Sequence, residues 1–177
     1  MTFEAPKNKI ERKPEVLYHA SSSQDIETLE VRGERTRDPD EKPSVFATPN
    51  KALASIFLVP TDDSWTHSGL VNDIPFIVIS DKDRFIELDN GGSIYSVNSD
   101  TFETNPEKGL RENEWTSSEA VAIQKNEKVD SALNTMLRLG VQVYFVDTET
   151  FKNFNSADDH GETILRSLIP EKHPDFD

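Results

Sequence analysis

The chain of 177 residues contains no cysteine, which excludes disulfides, thiolate zinc sites and a cysteine nucleophile together. Glycine is scarce too: the seven present are scattered, and none forms a GxGxxG, GxxxxGK[ST] or GxSxG arrangement. Glycine loops that cradle phosphates and a strand-to-helix nucleophile elbow are therefore missing. Positive charge is in deficit. Nineteen Lys and Arg stand against 33 Asp and Glu, a net charge of −14, and such a surface repels phosphate backbones and anionic lipid. General nucleic-acid binding is not expected. No apolar run approaches the roughly 20 residues a membrane-crossing helix needs, and Met1 to Pro14 has no hydrophobic signal core. The expectation is a cytoplasmic protein with no membrane partner. Four histidines are present, and His67, His160 and His173 show no paired spacing and no HExxH, so no metal site is expected.

What remains is a chain that is 34% hydrophobic and 29% charged, with Phe, Leu, Ile and Val gathered in short clusters that suffice for a core. Residues 1–14 mix lysine, glutamate and proline without hydrophobic periodicity and read as an irregular arm; residues 15–177 read as one α+β domain. Val16 to Ala20 reads as a buried strand opening into Ser21-Ser22-Ser23, with Ser22 or Ser23 capping a helical turn through Gln24, Asp25 and Ile26. From Arg32 to Pro43 the chain is too polar and too broken by proline for a packed element. Ser44 to Ala47 reads as a strand, and Thr48-Pro49 as the cap and first position of a helix running to about Leu58.

The polar stretch from Pro60 to Asp73, carrying Trp65 and His67, reads as a long loop or lid, with Trp65 either facing a cleft or plugging the core edge. Phe76–Ile79, Phe85–Leu88 and Ile94–Val97 read as three strands of an antiparallel meander, the last two joined by a turn at Asn90-Gly91-Gly92. Val129, Leu133, Met136, Leu137 and Leu139 sit at helical spacing, entered at Lys128-Val129 and closed by Gly140 at the position after the helix end. Val141–Val146 then reads as a strand, and Ile164 to Ile169 as a short terminal helix before Pro170.

Two places carry chemically interesting side chains. His19 stands where an apolar strand opens into a serine-rich loop, a rigid post for an imidazole facing a ligand. Glu112, Glu114 and Glu119 surround Trp115, and a carboxylate beside an aromatic ring can support charge developing on a sugar. By themselves these also read as a structural histidine and a solvated acidic face.

Three segments taken in order sharpen the reading. Leu17-Tyr18-His19-Ala20-Ser21 resembles the first-strand motif of the histidine-tyrosine-glutamate class of ADP-ribosyltransferases. Ser44-Val45-Phe46-Ala47-Thr48, followed by Lys51 to Phe57, resembles the second, a strand end feeding a small-residue helix. Asn113-Glu114-Trp115 resembles the third, the Asn-Glu-Tyr of the poly-ADP-ribose polymerase branch. The resemblance implies a split antiparallel β-sheet core with flanking helices, and NAD as substrate. It implies that His19 binds ribose hydroxyls, with Ala20 and Ser21 beside it, and that Glu114 bonds the nicotinamide-ribose 2′-hydroxyl, favouring an oxocarbenium-like transition state. The stacking tyrosine of the family falls on Val45, and the motif's second aromatic on Phe57; Ala20 stands in place of a glycine. A valine offers no flat polarisable face, so Phe46 or Trp65 would have to supply it. Arg32, Arg35 and Arg37 are the local cations for a pyrophosphate.

The implied function is ADP-ribosyl transfer from NAD to a protein, nucleobase or small acceptor. Two other expectations come from different classes: an inactive module of the same fold that binds NAD or ADP-ribose, and an acidic protein whose charge docks a basic partner.

Overall fold

The computed structural model describes residues 12–31, 42–105 and 110–174. In chain order its strands are β1 (Val16–Ser21), β2 (Thr28–Leu29), β3 (Val45–Ala47), β4 (Thr66–Val71), β5 (Ile74–Ile79), β6 (Gly92–Asn98), β7 (Glu103–Thr104), β8 (Trp115–Ser117), β9 (Val121–Ala122), β10 (Lys125–Val129) and β11 (Gln142–Phe145). Among the described residues five α-helices accompany them: α1 (Lys51–Ser55), α2 (Lys82–Leu88), α3 (Ala132–Leu139), α4 (Thr148–Ser156) and α5 (Glu162–Ser167). The class is mixed α+β.

Strand β6 lies between β1 and β10, antiparallel to both, and β8 lies between β3 and β7, also antiparallel. A single bridge joins these two small sheets, in which Tyr18 N donates to Thr48 O at 2.7 Å and Thr48 N donates to Tyr18 O at 2.9 Å. A third sheet runs β11-β5-β4; β11 is parallel to β5 and β4 antiparallel. The two-residue pair β2-β9 completes the set.

Alternation along the strands explains where the cores form. In β5, Ile77 and Ile79 face one way, into a core shared with Ala20, Ile94, Phe85, Met136 and the helices α1 and α3. Phe76 and Val78 face the other way, against Tyr144, Phe151, Phe154 and Leu165 under α4 and α5. With both faces covered, β5 is a nearly continuous apolar run, as a central buried strand must be. A separate core beneath β1, β3 and β8 gathers Leu17, Val45, Ala47, Val97, Phe102 and Trp115. Helix α3 buries Met136 as expected, together with Ala132 and Thr135, while Leu133, Leu137 and Leu139 are only partly buried against the same core; Gly140 ends the helix left-handed at φ 90°.

Several sequence expectations are corrected. The segment Phe85–Leu88 is not a strand but the body of α2, started by Asp81, whose carboxylate accepts from Arg84 N at 3.0 Å. A four-residue segment with three apolar side chains suits a strand or a helix turn equally, and the Asp81 cap decides it. The meander is thereby replaced by β5, a helix and β6. The polar stretch after Pro60 is not a lid: Thr66–Val71 is β4, whose pairing with β5 gives otherwise polar residues their backbone partners. The helix expected from Pro49 to Leu58 starts on Asn50, whose side chain accepts from Leu53 N at 3.1 Å, and tightens into a 3₁₀ turn over Ile56–Leu58. Lys128 and Val129 belong to β10 rather than to α3.

The helical turn at Gln24–Ile26 is absent because its polar groups bond elsewhere. The buried Tyr95 hydroxyl donates to Ser23 O at 2.6 Å and accepts from Ile26 N, while Asn126 Nδ2 donates to Gln24 O at 2.7 Å. Strand β10 and helix α4 were not foreseen, since Lys125–Val129 carries no alternation and Thr148–Ser156 buries only Phe151 and Phe154.

Asp89 ties the two halves of the main core together. Its carboxylate accepts from Ser131 Oγ at 2.8 Å and from the N–H groups of Ala132 and Leu133, so it caps α3 from the far end of α2. Asp89→Ala should lower unfolding stability by about 1–2 kcal/mol in urea titration with an unchanged m-value, in line with the loss of a helix cap.

Asp147 and Asp159 also stabilise chain turns in their charged forms. The Thr150 backbone N–H holds the Asp147 carboxyl below its ordinary value, and hydrogen bonding to Thr163 does the same for Asp159. A depressed folded pKa contributes stability above the unfolded value that is lost as pH falls through the folded one. Acidification below about pH 4 should therefore weaken the fold, and an Asp147→Asn/Asp159→Asn variant, which keeps cap acceptors without the charge, should lose less stability over that range in pH-dependent urea titrations.

Candidate functional site

The outer face of the β3-β8-β7 sheet borders a cleft of about 730 Å³, within the roughly 300–1,000 Å³ usual for small-molecule sites. Its floor follows from strand register. Phe46 pairs with Thr116, and Thr116 pairs in turn with Glu103, so these three form one row across the sheet. All three line the cleft, as do Ser44, Ser118 and Glu114, which continue the same alternation along β3 and β8. The residues between them point the other way: Val45, Ala47 and Trp115 are buried in the core beneath. Ser117 is buried as well, its hydroxyl 2.8 Å from that of Thr101.

Glu114 precedes β8 at the end where Ala47 pairs with Trp115. Its backbone carbonyl accepts from Thr104 Oγ1 at 2.8 Å, and its carboxylate lies 3.4 Å from Leu110 N. The carboxylate is thus held at the cleft wall by β7 and by the turn before β8. Phe46, 39% exposed, offers its ring on the same face.

Of the described residues implied as a site, the structure brings Phe46 and Glu114 into this cleft and leaves His19, Ala20, Ser21, Val45 and Phe57 out of its lining. His19 lies on β1 on the face of Leu17. Its Nδ1 is 2.8 Å from Phe46 O; because a carbonyl oxygen only accepts, this bond places a proton on Nδ1. His19 therefore touches the strand that carries Phe46 without lining the cleft. Ala20 is packed in the main core, and Ser21 Oγ accepts from Ser23 N in the loop that follows. Val45 is 3% exposed on the core side of β3, so its side chain cannot meet a ligand in the cleft. Phe57 is exposed on the 3₁₀ turn, away from it. Arg32, Arg35 and Arg37 lie outside the described residues.

The two possible aromatic substitutes are now distinguished. Trp65 is buried, its indole N–H donates to Asp62 Oδ2 at 3.2 Å, and the Arg84 guanidinium sits 4.4 Å from the ring centroid. Hydrogen bonding from Ser64 keeps the Asp62 carboxyl below its ordinary value. That cluster fastens the start of β4, which leaves Phe46 as the ring available in the cleft. Trp115 is likewise structural, buried with its Nε1 donating to Glu112 O at 2.8 Å.

Sequence reasoning missed Lys13, Lys42, Glu103 and Thr116, all of which line the cleft. The alternation of Ser44 with Phe46 and of Glu114 with Thr116 and Ser118 was readable, but which strands lie side by side was not. Among the described residues, no group of three His, Asp or Glu could hold a metal ion, and no helix is long and apolar enough to cross a membrane. Compared with protein-family models, with characterised proteins and with solved structures, the chain matches none.

Proposed function

We propose that the cleft beside β3 and β8 binds NAD and that the chain transfers ADP-ribose from it to an acceptor, with a core of the ADP-ribosyltransferase-like kind. One observation carries this reading: Phe46 and Glu114, from motif segments almost seventy residues apart, line a single cleft on one face of neighbouring strands. The ring offers nicotinamide a flat apolar surface. The carboxylate accepts a hydrogen bond from the ribose 2′-hydroxyl and stabilises positive charge as the bond between C1′ and the nicotinamide nitrogen breaks. Nicotinamide leaves with the bonding electron pair, and a nucleophile on the acceptor attacks C1′ and gives up its proton. His19 acts as a positioning residue through its bond to Phe46 O. The chain works in the cytoplasm on this reading.

A second reading has a specific observation in its favour. Because Val45 is buried and His19 lies outside the cleft, the same surface would serve as a module that binds NAD or ADP-ribose without turnover. The cleft's carboxylates also suit the docking of a basic protein partner.

Incubation with NAD followed by chromatography should reveal released nicotinamide. Glu114→Gln should keep the fold, judged by circular dichroism, and lower release by about 100-fold or more, the scale of losing one transition-state hydrogen bond. Phe46→Ala should raise KM with little effect on stability, since the ring is already partly exposed. Release undiminished by Glu114→Gln would overturn the assignment of that carboxylate, and calorimetric binding of NAD without any release would favour the module.

A further inference from the structure

The cleft is divided by charge along its length. Glu114 stands at the end where Ala47 pairs with Trp115. Lys42 precedes Ser44 at the opposite end of β3, where Val45 pairs with Ser117. Lys13 reaches that same end from the N-terminal arm: its Nζ donates to Asp100 O at 2.9 Å, and Asp100 adjoins Thr101, whose hydroxyl meets Ser117. Both lysines therefore border the Ser117 end, and Glu114 borders the other. Neither lysine forms a salt bridge among the described residues. An ammonium has three protons, and the bond from Lys13 to Asp100 O uses one.

We infer that Lys13 and Lys42 form the diphosphate subsite of this cleft, holding the pyrophosphate of an ADP-ribose-containing ligand whose nicotinamide-side ribose reaches Glu114. The inference rests on the nucleotide reading proposed above and goes beyond it by assigning the anion to two side chains. In a protein of charge −14, a dianionic ligand needs local cations to overcome the surrounding field. The lysines provide them at a distance from the carboxylate that has to face the developing cation. A Lys–phosphate contact is that of a mobile point charge, which suits an open cleft. Asp100 and Glu119 also border this end and oppose an anion, so binding rests on its attraction to the two exposed lysines, which salt screens.

The test is calorimetric titration of the full chain with ADP-ribose and with inorganic pyrophosphate at several salt concentrations, for the wild type, Lys13→Gln, Lys42→Gln and the double variant. Each single change should weaken both ligands roughly three- to tenfold, the range between an exposed ion pair and a hydrogen bond to a charged group. The double variant should also flatten the dependence of log Kd on log salt. Asp100→Asn should tighten binding. If wild type binds ADP-ribose and the double variant binds it equally well, the lysine assignment is overturned while the nucleotide reading stands. If wild type binds pyrophosphate but not ADP-ribose, and the double variant loses pyrophosphate, the anion subsite is supported and the nucleotide reading fails. Wild type binding neither ligand overturns both. Lys13 and Lys42 are exposed, so their replacement leaves the core intact.

Discussion

The pair of backbone hydrogen bonds between Tyr18 and Thr48 joins the β10-β6-β1 sheet to the β3-β8-β7 sheet. Everything around the cleft depends on that seam. It fixes β3 against β1, and with β3 fixed, β8 and β7 follow by their own pairing, which sets Phe46, Thr116 and Glu103 in one row. The His19 ring reinforces the seam one residue along, through Phe46 O. Two backbone bonds and one side-chain bond are individually modest, of the order of 1 kcal/mol each. They act together with Leu17, Val45 and Ala47, which pack into the same core beneath the seam.

The same seam accounts for the division of labour among the aromatic residues. A strand exposes alternate residues to opposite faces, so once β3 and β8 are paired, Phe46 must face the cleft if Val45 and Ala47 face the core. Trp115 then belongs to the core and Glu114 to the cleft wall. Around this arrangement the protein keeps its buried polar groups bonded: among the described residues no buried side-chain nitrogen or oxygen lacks a partner. Tyr95 illustrates how, pinning the loop after β1 through Ser23 and Ile26. The loop after Ser21 is thereby held from within the core, although no helix forms there.

The lengths of chain that were legible in the sequence share a physical cause. Helix α3 carries its own periodicity and strands β1 and β11 their own apolar-aromatic runs, and Gly140 closes α3 with a conformation that favours glycine. Strand β10 was illegible because it is an edge strand of charged residues, and its backbone bonds to β6 supply what its side chains do not signal. Phe85–Leu88 is ambiguous in the sequence because apolar content does not distinguish a turn of helix from a short strand; the Asp81 carboxylate, which accepts from Arg84 N, and the Asp89 N–H, which donates to Phe85 O, settle it. Of the cleft, Phe46 and Glu114 could be singled out beforehand, whereas Lys13 lay in an arm with no pattern of its own.

The sequence by itself determined an acidic chain without cysteine, the strongest helix, the strands of greatest apolar content and the two side chains on which the proposed chemistry rests. These are local properties, set by composition, by periodicity and by which residues tolerate a turn. Tertiary structure alone decided that Val45 is core and Phe46 is cleft, that His19 supports β3 from outside the cleft, and that Lys13 and Lys42 both border the end away from Glu114. Those outcomes depend on which strand pairs with which and in what register, and a shift of one residue would turn every side chain to the other face. Register is fixed by contacts between residues far apart in the chain, so no local pattern encodes it.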